Sequence, residues 1–409
     1  MIQREKYIAP IREFYDSDLI KIITGIRRCG KSVVLSQISE EIKKKSDNVI
    51  FLNFEDRSTL SRISGCDELL AYVEKARRAG KCFLFLDEIQ NVKDWPEACK
   101  TLRLHNCSVF ITGSNSKLLS KEFTKELSGR YVAFRIRPFV FKEIQEYLMQ
   151  QNRSATISDY LVYGGFPMRF EFNTESATRN YLNDLDQTIV INDIVNRYKI
   201  RKPELFTKLA NYVLISNSRI LSAKSIYNSI RGQFSECSVN TITKYLGYLK
   251  EAYVISSIKQ YSAKAKRELN FFEKIYDEDV AFNSIRVHDG IFDLTHNLEN
   301  VVYNELLYRG YSLSVYSGKQ EIDFCAQKGN KKYFIQVAYS VAERSTYDRE
   351  MGAFADIDNT YAKILISNDE IDYSTSTVRH ITAASNMAVT RRKCFIPHLP
   401  FCHAVRKRS

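Results

Sequence analysis

The chain has 409 residues, 60 of them lysine or arginine against 48 aspartates and glutamates, for a net charge of +12. That length exceeds what one hydrophobic core serves and predicts roughly two to four domains, while no apolar stretch approaches the roughly 20 residues of a membrane span, so a membrane partner is excluded. Met1-Ile2-Gln3-Arg4-Glu5 lacks the apolar core of a signal peptide, which predicts a cytoplasmic protein, and the 9 cysteines contain no C-x-x-C pair that would suggest zinc or redox chemistry.

The first strong pattern is Ile22-Ile23-Thr24-Gly25-Ile26-Arg27-Arg28-Cys29-Gly30-Lys31-Ser32, an apolar strand that breaks into G-x-x-x-x-G-K-S and runs into a helix over 31–45. This is a phosphate-binding P-loop. Its glycines let successive backbone N–H groups turn inward on an anion, Lys31 supplies a point charge and Ser32 a hydroxyl for Mg²⁺. Gly25, Arg28, Cys29, Gly30, Lys31, Ser32 and Val33 are therefore the expected nucleotide-binding residues. Strands over 49–54, 82–87 and 108–112 alternate with helices over 67–79 and 95–105. Such alternation predicts an α/β fold, a parallel sheet with helices on both faces and the nucleotide at the carboxyl ends of the strands.

The run Cys82-Phe83-Leu84-Phe85-Leu86-Asp87-Glu88 reads as a strand buried on both faces that ends in two carboxylates. After a P-loop this is a Walker B strand, in which Asp87 serves the metal and Glu88 polarises the attacking water. The next strand ends in Gly113-Ser114-Asn115-Ser116, which puts Asn115 or Ser114 within reach of the γ phosphate; a plain turn has the same letters. Leu127-Ser128-Gly129-Arg130 then precedes a strand over 131–136. Arg130 is the candidate for transition-state charge neutralisation, in cis or from a neighbouring subunit, and it also reads as a solvated surface arginine.

Residues 1–138 thus form the expected P-loop ATPase domain, and residues 139–202 turn helical as a lid or linker, broken by Tyr163-Gly164-Gly165-Phe166-Pro167. Over 203–265, two short helices, the second capped by Ser238, precede a β-rich segment over 252–258. That order suggests a winged helix, with Asn240, Thr243 and Lys244 facing a possible DNA partner; such modules also serve as protein contacts. In the last domain, 266–376, a helix with Glu305 is followed by Glu321-Ile322-Asp323-Phe324 and by Tyr333-Phe334-Ile335-Gln336-Val337-Ala338. This is the frame of a restriction-endonuclease fold, but Gln336 and Ala338 stand where an acid and a lysine are needed, so nuclease chemistry is expected to be lost.

On Gly25-Ile26-Arg27-Arg28 leading into Gly30-Lys31-Ser32, Leu86-Asp87-Glu88-Ile89-Gln90, Gly164-Gly165-Phe166-Pro167, Arg309-Gly310-Tyr311, and Glu321-Ile322-Asp323-Phe324 with Ile335-Gln336-Val337, the chain resembles the prokaryotic AAA-type ATPases whose C-terminal half is an uncharacterised domain of restriction-endonuclease-like ancestry. The resemblance implies ATP binding with hydrolysis and leaves the pathway open. Residues 377–409 depart from it, ending in Arg406-Lys407-Arg408-Ser409, either as a basic arm or through a change of reading frame near residue 382, the second being preferred. The combined expectation is a Mg²⁺-dependent ATPase whose nucleotide state switches its C-terminal modules. A nucleotide-gated DNA-binding regulator and an ATP-controlled nuclease are the rivals. DNA, an unidentified protein and further copies of the chain are the candidate partners.

Overall fold

A computed structural model describes residues 2–114, 127, 129–232, 237–261, 273–287 and 293–383. Asn115, Ser128, the basic stretch 262–267 and the tail from residue 384 lie outside the described residues. Among the described residues the strands form two sheets, and no helix is long and apolar enough to cross a membrane.

The first sheet contains β1 (Ile20–Thr24), β2 (Val49–Asn53), β3 (Cys82–Asp87), β4 (Cys107–Gly113) and β5 (Tyr131–Arg135), all parallel, in the order β2-β3-β4-β1-β5. Every residue of β1 and β4 is buried, as a continuous apolar run in the middle of a covered sheet requires. Helix α1 (Glu5–Arg12) packs on α2 (Lys31–Lys43), which buries Val34, Leu35, Ile38 and Ile42 along one face toward Phe85 and Phe110. Those two rings stack 4.6 Å apart beneath the P-loop helix. Helices α3 (Cys66–Ala76) and α4 (Trp95–Leu104) cover the opposite face through Leu69, Val73, Trp95 and Leu102.

The lid follows as α5 (Phe141–Met149), α6 (Ile157–Tyr163), α7 (Glu175–Asp186), a π-helical turn at Gln187–Asp193 and α8 (Ile194–Tyr198). Between α6 and α7 the Gly-Gly break does a specific job. Gly164 has φ +69° and a Cβ there would overlap the Asp279 carboxylate, while a Cβ on Gly165 would lie 2.0 Å from the Phe139 carbonyl. Asp279 accepts from the Gly165 N–H at 2.7 Å, and burial pushes its carboxyl up to about 6.

Next come α9 (Pro203–Ile215), β6 (Arg219–Leu221), α10 (Ala223–Ile230), α11 (Val239–Glu251), β7 (Ile255–Tyr261) and β8 (Glu273–Asp277). Ser222 and Ser238 cap α10 and α11 by accepting from Ser225 N and Thr241 N. Strand β8 pairs antiparallel with both β6 and β7, so the boundary expected at residue 265 falls inside this sheet. Pairing between distant strands, not composition, decides where this sheet closes.

Strand β7 also pairs in parallel with β9 (Ser312–Ser317), which makes one eight-stranded sheet with β10 (Glu321–Lys328), β11 (Lys331–Val337), β12 (Ala362–Ser367) and β13 (Val378–Thr382). Helices α12 (Leu294–Tyr308) and α13 (Arg344–Gly352) flank it. Two buried groups bolt this half to the ATPase sheet: Glu278, just after β8, accepts from Arg135 and Arg137, the latter at 2.7 Å, and Asn304 on α12 accepts from Arg137 at 3.2 Å.

Within the last domain the helix carboxylate that faces Asp323 is Glu299 and not Glu305. The Lys274 ammonium holds Glu299 and Asp323 at 2.8 Å and Glu321 at 3.0 Å, whereas Glu305 pairs with Arg309 on its own helix. Burial and the neighbouring Asp323 push the Glu299 carboxyl up to about 8 against the pull of Lys274. Asp323 also accepts from the Val337 N–H at 2.9 Å, and Gln336 is tied to Asp323 N and to the Glu350 carboxylate.

Candidate nucleotide site

The register of the first sheet sets the level of the site. Thr24 at the end of β1 lies beside Gly113 and Arg135, and Ile23 beside Thr112. The chain then leaves β1 through Gly25, whose φ is +146° and whose Cβ, if present, would sit 2.1 Å from the Ile136 carbonyl oxygen, so only glycine fits. Arg28 (φ 65°) and Gly30 (φ 99°) both take left-handed conformations, and Gly30 caps α2 without a side-chain bond. Left-handed residues between right-handed ones turn successive N–H groups to the same side, and the first turn of α2 adds its own free N–H groups.

These amides border a cleft of ≈ 1010 Å³ that Arg28, Gly30, Lys31, Ser32, Val33 and Glu88 all line. Gly25 and Cys29 do not line it; Cys29 Sγ donates to the Ile136 carbonyl at 3.4 Å and burial pushes its thiol up. Their contribution is backbone shape. Lys31 Nζ donates to the Ile26 carbonyl at 3.1 Å and stands 3.9 Å from Glu88 Oε1.

Asp87 and Glu88 are set by a residue that the sequence reading passed over. The Thr112 hydroxyl, at the end of β4, donates to Asp87 Oδ1 and accepts the Glu88 N–H at 2.9 Å. Glu88 has φ 52°, a conformation that costs a non-glycine residue of order 1–3 kcal/mol and persists where neighbours impose it. The Thr112 bond and the Gln90 side chain, which donates to Glu88 Oε2, are those neighbours here.

Arg130 does not join this group. Ile20 pairs with Tyr131, so Arg130 is exposed at the amino end of β5, five residues and roughly 16 Å from the carboxyl end where the P-loop sits. A strand that is parallel to β1 enters at the opposite edge from the loop, so within one chain Arg130 stands away from the P-loop. Ser114 lines the cleft. The arginines at the cleft are Arg4, Arg27, Arg28 and Arg197, the last carried by α8 of the lid. Arg4 holds the loop from behind: fully buried, it donates to the Cys29 and Arg137 carbonyls, each at 2.9 Å, and to both oxygens of Glu143 on α5. No sequence pattern around Arg4 or Arg197 announces these positions, because the groups they meet lie on other elements, for Arg4 from 25 to 139 residues along the chain.

The residues fit Mg²⁺ and a nucleotide on two counts. Ser32 is exposed to the cleft and Asp87 ends the strand beside it, a sparse oxygen set of the kind Mg²⁺ uses when water and phosphate fill the rest of its shell. Among the described residues no three or more His, Cys, Asp or Glu side chains form a metal-holding group of their own. At the far wall, Ile2, Phe139, Met168 and Tyr181 give an apolar surface, and the buried Tyr181 hydroxyl has no hydrogen-bond partner among the described residues. Burial pushes that hydroxyl up to about 12, so it stays a donor at neutral pH.

Residues 17–145 match the model of a family described as an AAA domain, and residues 154–285 match a domain of unknown function. The chain is similar to an uncharacterized protein of Haemophilus influenzae, 32% identical over 380 residues that cover 90% of this chain and 93% of the other. A second uncharacterized protein, from Methanocaldococcus jannaschii, is 30% identical over 382 residues, covering 86% and 82%. Among solved structures, a Walker-type ATPase of Pyrococcus abyssi shares the fold at a TM-score of 0.50 and 14% identity, over 70% of this chain and 96% of that one. The chain belongs to the family of the H. influenzae and M. jannaschii proteins, and its P-loop sheet is an AAA domain.

Proposed function

We propose that the protein is a Mg²⁺-dependent ATPase whose nucleotide state sets how its C-terminal half is presented. The observation that carries this reading is the convergence of Lys31 and Glu88 on one cleft bordered by inward amides, with the Thr112-bound Asp87 next to Glu88. Lys31 and the amides of Arg28 through Val33 hold the β and γ phosphates. Ser32 and Asp87 hold Mg²⁺, which when bound neutralises charge on those phosphates. The Glu88 carboxylate orients the attacking water and accepts its proton. Asn115, with Ser114 beside it, senses the γ phosphate, and Arg130 acts from a neighbouring copy. Hydrolysis is tested by measuring phosphate release from ATP by the purified protein, with and without DNA. Turnover above background is expected, and none under either condition removes the ATPase reading.

Thr112→Val checks the site's internal geometry. Loss of a partner that orients a metal-bound carboxylate costs roughly 10–100-fold in activity or metal affinity. Turnover is expected to fall by about that factor, with a higher half-saturating Mg²⁺ and an unchanged fold by circular dichroism. Wild-type turnover would assign the orientation of Asp87 and Glu88 to other groups.

A second reading is DNA contact by the unit from α9 to β8. Its order of helix, strand, two helices and an antiparallel strand pair supports a winged helix, and α11 exposes Asn240, Thr243 and Lys244 on one side. Stimulation of ATP turnover by duplex DNA favours it; a rate indifferent to DNA favours an unidentified protein partner. For the last domain we propose a scaffold without nuclease chemistry, since Lys274 already occupies the carboxylates that a metal would need.

A further inference from the structure

The lid contains a π-helical turn, Gln187–Asp193, inserted between α7 and α8. A π-helical stretch of this length is rare, and π geometry inside helices concentrates at functional sites. The P-loop holds its last residue. Arg27 NH1 donates to both Asp193 oxygens, at 2.9 and 3.2 Å, while NH2 stands 3.6 Å from Glu55 Oε1. Arg27, Asp193, Glu55 and Arg197 all line the same cleft as Lys31 and Glu88. The charge of Arg27 is thus committed to carboxylates on the lid and on the segment after β2.

Directly after Asp193 the turn runs into α8, whose last residue, Tyr198, stacks on Tyr248 of α11 with ring centroids 3.7 Å apart and planes 11° apart. The Tyr198 hydroxyl also donates to Glu251 at the end of α11. One continuous path of helix and ring contact therefore joins the P-loop arginine to α11. The Arg27–Asp193 pair is part-exposed, with side chains 37% and 25% accessible, so solvent screens it and it is readily exchanged. A phosphate accepts from a guanidinium through two oxygens and carries more charge than one carboxylate, so it competes well for the same arginine.

We propose that Asp193 is a positioning residue for the nucleotide site: it holds Arg27 off the phosphates until ATP draws the guanidinium over, and this exchange frees the π-helical turn and shifts α8 against α11. The inference rests on the reading of the cleft as an ATP site and names how that site is regulated. It makes the lid turn the element that both nucleotide and α11 bias, which is what coupling between two sites requires.

Calorimetric titration with ATP, on the unsubstituted protein, Asp193→Asn, Arg27→Ala and the double variant, tests it. Asp193→Asn is expected to bind ATP roughly fivefold tighter, the lower end of ordinary coupling. Arg27→Ala is expected to bind more weakly, and the double variant to match Arg27→Ala, because no arginine is left to release. Hydrogen exchange over residues 187–198 is expected to rise when ATP binds the unsubstituted protein and to be high without ATP in Asp193→Asn. Equal affinity in Asp193→Asn overturns the proposal. So does a gain that survives in the double variant, which would come from deleting a negative charge, or exchange that ATP leaves unchanged. Absence of any ATP binding by the unsubstituted protein removes the ATP reading itself, and the first titration separates that outcome from the others.

Discussion

Lys31→Ala is expected to abolish ATP binding measured by calorimetry. The ammonium is 4% exposed and is the charge that the loop places nearest to Glu88, at 3.9 Å. Its removal has two effects of the same sign. The phosphates lose charge-assisted hydrogen bonds of roughly 1.5–3 kcal/mol each, and the Glu88 carboxylate is left without its counter-charge beside an incoming anion. Two such bonds come to about 4 kcal/mol, or roughly a thousandfold in affinity, before the repulsion is added. The fold should survive, since alanine keeps the helix and the ammonium's one described hydrogen bond goes to a loop carbonyl, that of Ile26. An affinity within a few fold of the unsubstituted protein, at an unchanged melting temperature, would show that the P-loop is not the phosphate site.

Glu88→Gln is expected to preserve binding and stop turnover. Glutamine is isosteric, retains the backbone N–H bond to Thr112 and can still meet Gln90, so the strained turn at φ 52° keeps its supports. What it loses is the capacity to accept a proton, a contribution of typically 10²–10⁴ in rate. Steady-state phosphate release should therefore fall by about that factor, while the ATP dissociation constant stays level or improves, because a negative charge has left the neighbourhood of the phosphates. A variant that turns over at the original rate would move the water-activating role to another group.

These two predictions use residues that were legible without coordinates, and the reason is local. The P-loop and the Walker B end are contiguous segments whose conformation follows from short-range requirements: a glycine where a Cβ would strike a carbonyl, left-handed positions that turn amides inward, and an apolar run that must lie inside a sheet. Alternation of strand and helix likewise determined the α/β class and the end of the sheet where a ligand binds. Thr112, Arg4, Asp193 and Arg197 were not legible. Each acts through a partner set by strand order or by lid packing: Thr112 because β4 lies beside β3, Arg4 because α1 sits behind the loop, Asp193 and Arg197 because the lid folds back over it. The same reason explains where the structure departs from the order of residues. Arg130 was placed by its nearness in sequence to the next strand, but a parallel strand carries its first residue to the far edge of the sheet. Glu305 was named from the order of helix and strand, whereas the rotation of α12 against β10 brings a different carboxylate of that helix, Glu299, to Asp323 through Lys274. Sequence by itself determined the chemistry of segments whose geometry is closed by their own backbone; tertiary structure decided every role that depends on which distant element lies alongside, because side chains reach only a few ångströms and neighbours in space are chosen by the sheet register and the packing of helices upon it.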